Sequence, residues 1–277
     1  MLLSIGAAAL AASSCGDDDG GGTVRAASPG VPLDWSAGDM LGALVVDEDR
    51  RSIEDLTSQS CALDGAFVVA SAAGSRVVGA RDAECQVVGL DRSLRAGAAS
   101  FSPACVGALN WTFGEDRMTI MSCPSTLPDR FDLSCVELRD LSGVGVTSGP
   151  GETDGDIVNA LSLSTDRPSP ITITSPMAPG VGLGVWPSSG DLVVQWEAGE
   201  GDGVEVSLGA QDGSGDIIEC YGPDDGELRI PEGLVGARRA VESWLRVARV
   251  KQSARTADGF RATLTYRRSD TIYLDPP

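Results

Sequence analysis

Between residues 171 and 274 apolar and polar positions alternate with a period of two. In "DLVVQWE", Leu192, Val194 and Trp196 share a face, with Val193, Gln195 and Glu197 opposite. In "VEVSL", Val204, Val206 and Leu208 point one way, and in "ELRIP" Leu228 and Ile230 do the same. In "RATLTYR", Ala262, Leu264 and Tyr266 alternate with Arg261, Thr263 and Thr265. This is the pattern of strands with one buried and one wet face, because successive side chains leave opposite sides of an extended backbone. Seven such segments follow one another with turn residues between them: "ITITS", "LVVQW", "VEVSL", "DIIECY", "ELRIP", "WLRVARV" and "RATLTY". Their count and spacing predict an antiparallel sandwich over residues 170–277.

The upstream pattern is also that of strands. "GALNWTF" and "RMTIM" flank "GED" as a hairpin, with Leu109, Trp111 and Phe113 on one face. "AFVVA" and "RVVGA" flank the small-residue turn "SAAGS", and "SFSPAC" and "SCPSTLPD" are turn chemistry. Two prolines in "STDRPSPIT" disfavour both helix and sheet and mark a connection. The expectation is an all-β protein of two small β modules, a disulfide-bearing domain over 33–165 and the sandwich over 170–277.

Composition narrows the chemistry. Apolar residues make up 42% of the chain but aromatics only 5%, so the cores must be built of Val, Leu, Ile and Ala. There is no histidine, which removes Ser-His-Asp and Cys-His nucleophiles and imidazole-bound zinc. Lys251 is the single lysine, and no serine motif surrounds it, so it reads as a strand lysine and not as a catalyst. The Asp- and Gly-rich loops "GETDGDI", "EAGEGDG", "QDGSGD" and "GPDDGE" lack the D-x-[DN]-x-[DN]-G spacing of a calcium loop and read as turns. No cofactor, metal ligand or catalytic residue is assigned. The net charge of −19 argues against a nucleic-acid partner, since such binding relies on cations facing phosphates.

The N-terminus addresses location. "LLSIGAAALAA" has the length of a signal-peptide core and is too short to span a bilayer. "ASSC" resembles the lipobox of bacterial lipoproteins, although Ala12 stands three residues before Cys15, where that family prefers leucine. The resemblance implies a signal peptide over 1–14 and a lipidated Cys15, with 15–32 as a disordered tether. Ordinary secretion, with cleavage near Ala9–Ala11, is the competing reading. Seven cysteines are an odd number, and lipidation of Cys15 leaves six disulfide candidates: Cys61, Cys85, Cys105, Cys123, Cys135 and Cys220. No C-x-x-C motif is present, and spacing alone does not give the pairing. The expectation is two bridges in the first module with Cys220 buried and unpaired; the alternative is a bridge from Cys220 to the first module.

"DLVVQWEAGEG" and "ESWLRVARV" resemble two strands of a fibronectin type III domain, with Trp244 in the place of a core aromatic. The resemblance implies a binding or spacer module and carries no site residues. Between Gly236 and Arg268 nine basic residues face only Glu242 and Asp258. Arg246, Arg249, Lys251, Arg261 and Arg267 in this stretch form a candidate patch for an anionic partner. The contrary expectation is that acids of the same chain, such as those of "GPDDGE" and "EAGEGDG", neutralise them. The function expected is that of a non-catalytic, lipid-anchored cell-envelope protein acting in adhesion, scaffolding or ligand binding. Its partners would be the membrane, through the anchor, and a protein or glycan. The alternative is an exported carboxylate-dependent glycan hydrolase.

Overall fold

The structure is a computed structural model that describes residues 31–53, 56–70, 74–78, 84–88, 101–103, 108–121, 129–135, 138, 141–148, 161–177, 184–213, 215–257 and 260–276. It is all-β, with one short helix at Glu232–Val235 followed by a 3-10 turn at Gly236–Ala240. The largest sheet has ten strands. Along it run β5 (Glu84–Val88), β16 (Ile217–Gly222), β15 (Gly203–Ala210), β18 (Ser243–Ala257), β19 (Phe260–Asp275), β2 (Met40–Ile53), β3 (Leu56–Ala70) and β6 (Phe101–Pro103). Off this path, β13 (Gly184–Val185) pairs with β19, and β9 (Asp129–Leu133) pairs with β3. A four-stranded sheet runs β11 (Ser162–Asp166), β10 (Gly143–Ser148), β7 (Ala108–Phe113) and β8 (Asp116–Met121). A three-stranded sheet runs β12 (Ile173–Ser175), β14 (Leu192–Trp196) and β17 (Glu227–Ile230). β1 (Val31–Trp35) and β4 (Gly74–Val78) form a separate pair.

The two smaller sheets pack on the same face of the long one. Leu109, Trp111, Val144, Val146 and Leu163 of the four-stranded sheet meet Leu44, Val46, Leu63, Ala262, Leu264 and Tyr266. Ile173, Leu192, Val194, Trp196, Leu228 and Ile230 of the three-stranded sheet meet Val204, Val206, Leu208, Leu245, Val247, Ile272 and Leu274. The alternation read from the sequence sets these faces, and all seven strands expected after residue 170 are present. The Asp-Gly signal after "QSART" joins β18 and β19 as antiparallel neighbours with Ala257 opposite Phe260.

Two details differ from expectation. Trp244 lies on the opposite side of β18 from Leu245 and Val247, against Gly209, and the buried tryptophans of this core are Trp186 and Trp196. Thr263 and Thr265 are buried, not wet, because β19 is an inner strand flanked on both sides.

The connection at 165–170 separates two cores but not two sheets. β2 pairs in parallel with β19, from Met40 opposite Phe260 to Arg51 opposite Thr271. β5 adds to the free edge of β16, with Cys85 opposite Cys220. That placement corrects the expected pairing: Cys220 is not a free thiol but is bridged to Cys85, while Cys61 is bridged to Cys135. The physical reason is strand addition across the two halves, which linear spacing does not reveal. Cys15, Cys105 and Cys123 lie outside the described residues.

The Cys85–Cys220 bridge spans a sequence separation of 135 residues. A link closing so long a loop contributes about 2–4 kcal/mol. The double variant Cys85→Ser, Cys220→Ala should be less stable by that amount in urea without reductant, and reductant should shrink the difference. Equal midpoints without reductant would show that the clasp does not form.

Candidate functional site

A row of buried and half-buried charges lies where the two cores meet. On the core-facing side of β19 the chain reads Phe260, Ala262, Leu264, Tyr266, Arg268, Asp270, Ile272, Leu274, which is apolar, then charged, then apolar. β2 changes in the same way from Leu44 and Val46 to Glu48, and β18 from Leu245 and Val247 to Arg249. Arg249, Arg268 and Glu48 lie in one row across the three strands.

The connection that links the halves runs through this seam. Arg167 donates two hydrogen bonds to Glu48, each 2.7 Å long, and Glu48 is 1% exposed. The Tyr266 hydroxyl also donates to Glu48, and Arg268 lies 3.6 Å from its second oxygen. Burial first, and then the Glu48 charge, push the Tyr266 phenol pKa up, whereas burial beside Arg167 lowers that of Arg268. Pro168 and Pro170 offer carbonyls without N–H groups, which suits arginine donors. Arg268 donates to Pro168 O at 3.4 Å, and Arg249 to Pro170 O and to Ser169 Oγ at 3.0 Å.

Each residue of the expected basic patch has a partner in the same chain. Arg249 is 2% exposed and bidentate to Asp224, at 2.6 and 3.1 Å. Asp224 also accepts from the Trp196 indole at 3.0 Å and the Gly201 N–H at 2.9 Å. Gly199 lies so close to the Arg249 guanidinium that a Cβ there would overlap it. Lys251 lies 3.4 Å from Asp202, and Arg261 lies 3.7 Å from Asp39. The loops "GPDDGE" and "EAGEGDG" thus supply Asp224 and Asp202.

The other two patch residues lie on the outer face of the long sheet. Arg267 is bidentate to Glu205, at 2.6 and 3.1 Å. Burial there opposes the charge, but Glu205 outweighs it, and the guanidinium pKa is raised. Arg246 donates to Asp47 and, at 2.9 Å, to Ser269. Asp49 is pulled up by burial, yet Arg246 and hydrogen bonds from Arg51, Thr271 and Ser269 hold its carboxyl below the ordinary value. The five cations are not brought together as a free surface; they are divided between the seam, the outer face and the rim.

A concave surface lies elsewhere. A polar cleft of about 560 Å³ opens over the outward side of the four-stranded sheet and is lined also by Asp202, Lys251 and Gln252. Its floor is β10, in which Val144 and Val146 face the core while Gly143 and Gly145 face outward. Gly145 lies opposite Thr112 of β7 on one side and Ser164 of β11 on the other, and Gly143 lies opposite Asp166. The sequence analysis did not find these residues. The available signal was the glycine–valine alternation in "GVGVTS", which places glycine at two of the three outward positions. Among the described residues no group of three or more potential metal-binding side chains converges.

These observations describe an all-β protein in which two small sheets share one long one and the five cations of the expected patch are met by its own acids. No family model, no curated protein and no solved structure matches the chain.

The pairs differ in burial, and so do their expected energies. Asp224→Ala strands Arg249 in the interior and should cost roughly 3–5 kcal/mol. Arg261→Gln removes a longer, more open pair and should cost less than about 1 kcal/mol. Urea unfolding of both variants checks the ranking; equal effects would contradict it.

Asp49 gives a pH signature. Its folded pKa lies below its ordinary value of 3.8, so its contribution is present above that value and is lost as pH falls through the folded one. Asp49→Asn should therefore be less stable than the wild type at neutral pH, with the gap closing in acid. A gap that is constant with pH in urea titrations would overturn this.

Proposed function

We propose that the protein is exported, anchored by lipid on Cys15, and acts at the bacterial cell envelope as a non-catalytic binding or scaffolding module. The observation that carries this reading is the pair of disulfides, which point to an oxidising, exported location. They follow an apolar N-terminal segment that ends in "ASSC" and a Gly- and Asp-rich spacer. Among the described residues no helix is long and apolar enough to cross a membrane.

The C-terminal half is read as a fibronectin type III-like module. Support comes from its strand order: β12-β14-β17 faces β16-β15-β18-β19, with successive strands exchanged between the sheets as in immunoglobulin-like sandwiches. A binding role without an anionic partner is favoured because Arg246, Arg249, Lys251, Arg261 and Arg267 already face Asp47, Asp224, Asp202, Asp39 and Glu205. The partner is then recognised by polar surface and not by net positive charge.

Cys15→Ser should move the protein from the membrane fraction to the soluble fraction of its native host, because the reading assigns the membrane hold to the lipid on that cysteine. Intact mass should fall by the lipid in the same variant. Unchanged membrane fractionation would overturn the anchor, and release of reducing ends from envelope polysaccharide by the purified protein would overturn the non-catalytic role.

A further inference from the structure

Gly145 occupies the middle of β10, an inner strand of its sheet. Glycine in a strand interior weakens it, through lost chain entropy and the absence of a side chain to pack. Such a residue is expected where something must approach the backbone closely. For Gly143 the fold supplies the reason: a Cβ there would meet the Thr165 carbonyl oxygen at 2.5 Å. For Gly145 it does not. A Cβ there would meet only the Leu163 carbonyl oxygen at 3.7 Å and Thr112 Cβ at 3.8 Å, which are ordinary contacts. The bare backbone at Gly145 therefore serves the cleft and not the packing.

The shape of the cleft follows from the register. Thr112 and Ser164 flank Gly145 from neighbouring strands, and Asp166 stands beside Gly143. Two strand spacings separate the walls, about 10 Å. The result is a trough with a backbone floor and hydroxyl and carboxylate walls, lined also by Lys251, Asp202 and Gln252. The Gln252 backbone N–H donates to Asp202 at 2.8 Å, while its side-chain oxygen is buried without a hydrogen-bond partner.

The chemistry of the walls selects a ligand class. An apolar ligand needs apolar walls, and the valine in the lining, Val144, is buried in the core beneath. A phosphate or polyanion needs free cations, and the one cation among the described residues of the lining, Lys251, already faces Asp202 while Asp166 adds negative charge. A divalent ion needs converging carboxylates, which the described residues do not offer. What remains is a ligand rich in neutral groups that both donate and accept. Hydroxyls of Thr112 and Ser164 can do either, carboxylates accept, and lysine donates.

We propose that the trough over β10 binds a neutral oligosaccharide, with a sugar unit seated over Gly145 between Thr112 and Ser164. This deepens the binding reading above by naming its ligand class. The test uses the full chain and an array of neutral glucose and N-acetylglucosamine oligomers, followed by titration calorimetry on the strongest binder. Binding in the wild type is expected to be nearly independent of salt. Gly145→Val should fill the trough and lower affinity at least tenfold while leaving the melting temperature unchanged or raised, since valine favours strands. If Gly145→Val does not fold, Thr112→Val removes one wall hydroxyl at similar volume and should also weaken binding. No binding of any oligomer at millimolar concentration, affinity that falls steeply with salt, or full affinity in folded Gly145→Val each overturns the proposal. The membrane anchor is tested separately by Cys15→Ser, so a failed trough and a failed anchor are distinguishable.

Discussion

A charge placed in a protein interior must be paired where it lies, and the architecture here depends on that constraint. Three neighbouring strands of the long sheet turn from apolar to charged at the same height, bringing Arg249, Arg268 and Glu48 into one row. Left alone, the row would hold two adjacent cations against one acid. Asp224 arrives from the loop before β17, and Arg167 and the proline carbonyls arrive from the connection between the halves. The seam thus fixes the path of that connection, and with it the position of each small sheet on the long one. Removing a single member would leave its partner charged and dry, which costs far more than the pair contributes when complete.

The same seam accounts for the limited reach of the basic stretch. Charge balance along a sequence does not indicate which side of a strand a residue occupies. Arg249 falls in step with Leu245 and Val247, so its burial was implied by alternation, and its acidic partner had to come from another strand or loop. Arg246 falls out of step and reaches Asp47 on the outer face. Two arginines three residues apart therefore serve opposite sides of one sheet.

Much of the architecture was legible in the sequence. Alternation identified the seven C-terminal strands and the inward sets Leu192–Val194–Trp196 and Val204–Val206–Leu208, because burial on one face leaves a direct imprint at period two. The hairpin of β18 and β19 followed from Asp-Gly. What was not legible depended on pairing between distant segments. Nothing in "ECQVV" marks it as the strand that adds to β16, so the Cys85–Cys220 bridge was missed. "STDRPSPIT" was read as a free boundary, since proline signals an interruption of regular structure but not whether the interruption is exposed or enclosed. Gly145 was overlooked for a related reason: a glycine is informative only once its neighbours in space are known.

The parallel pairing of β2 with β19 bears on the order in which the molecule is made. Leu44 and Val46 are made long before the strand that covers their flank, with Phe260, Ala262 and Leu264. A chain leaving a ribosome or a translocation pore N-terminus first carries an unclosed apolar face until β19 follows. Pairing at such sequence separation is slow and exposes intermediates to aggregation. The first half cannot complete itself and wait. Both cores close only once β19 has followed, because each takes part of its apolar surface from that strand.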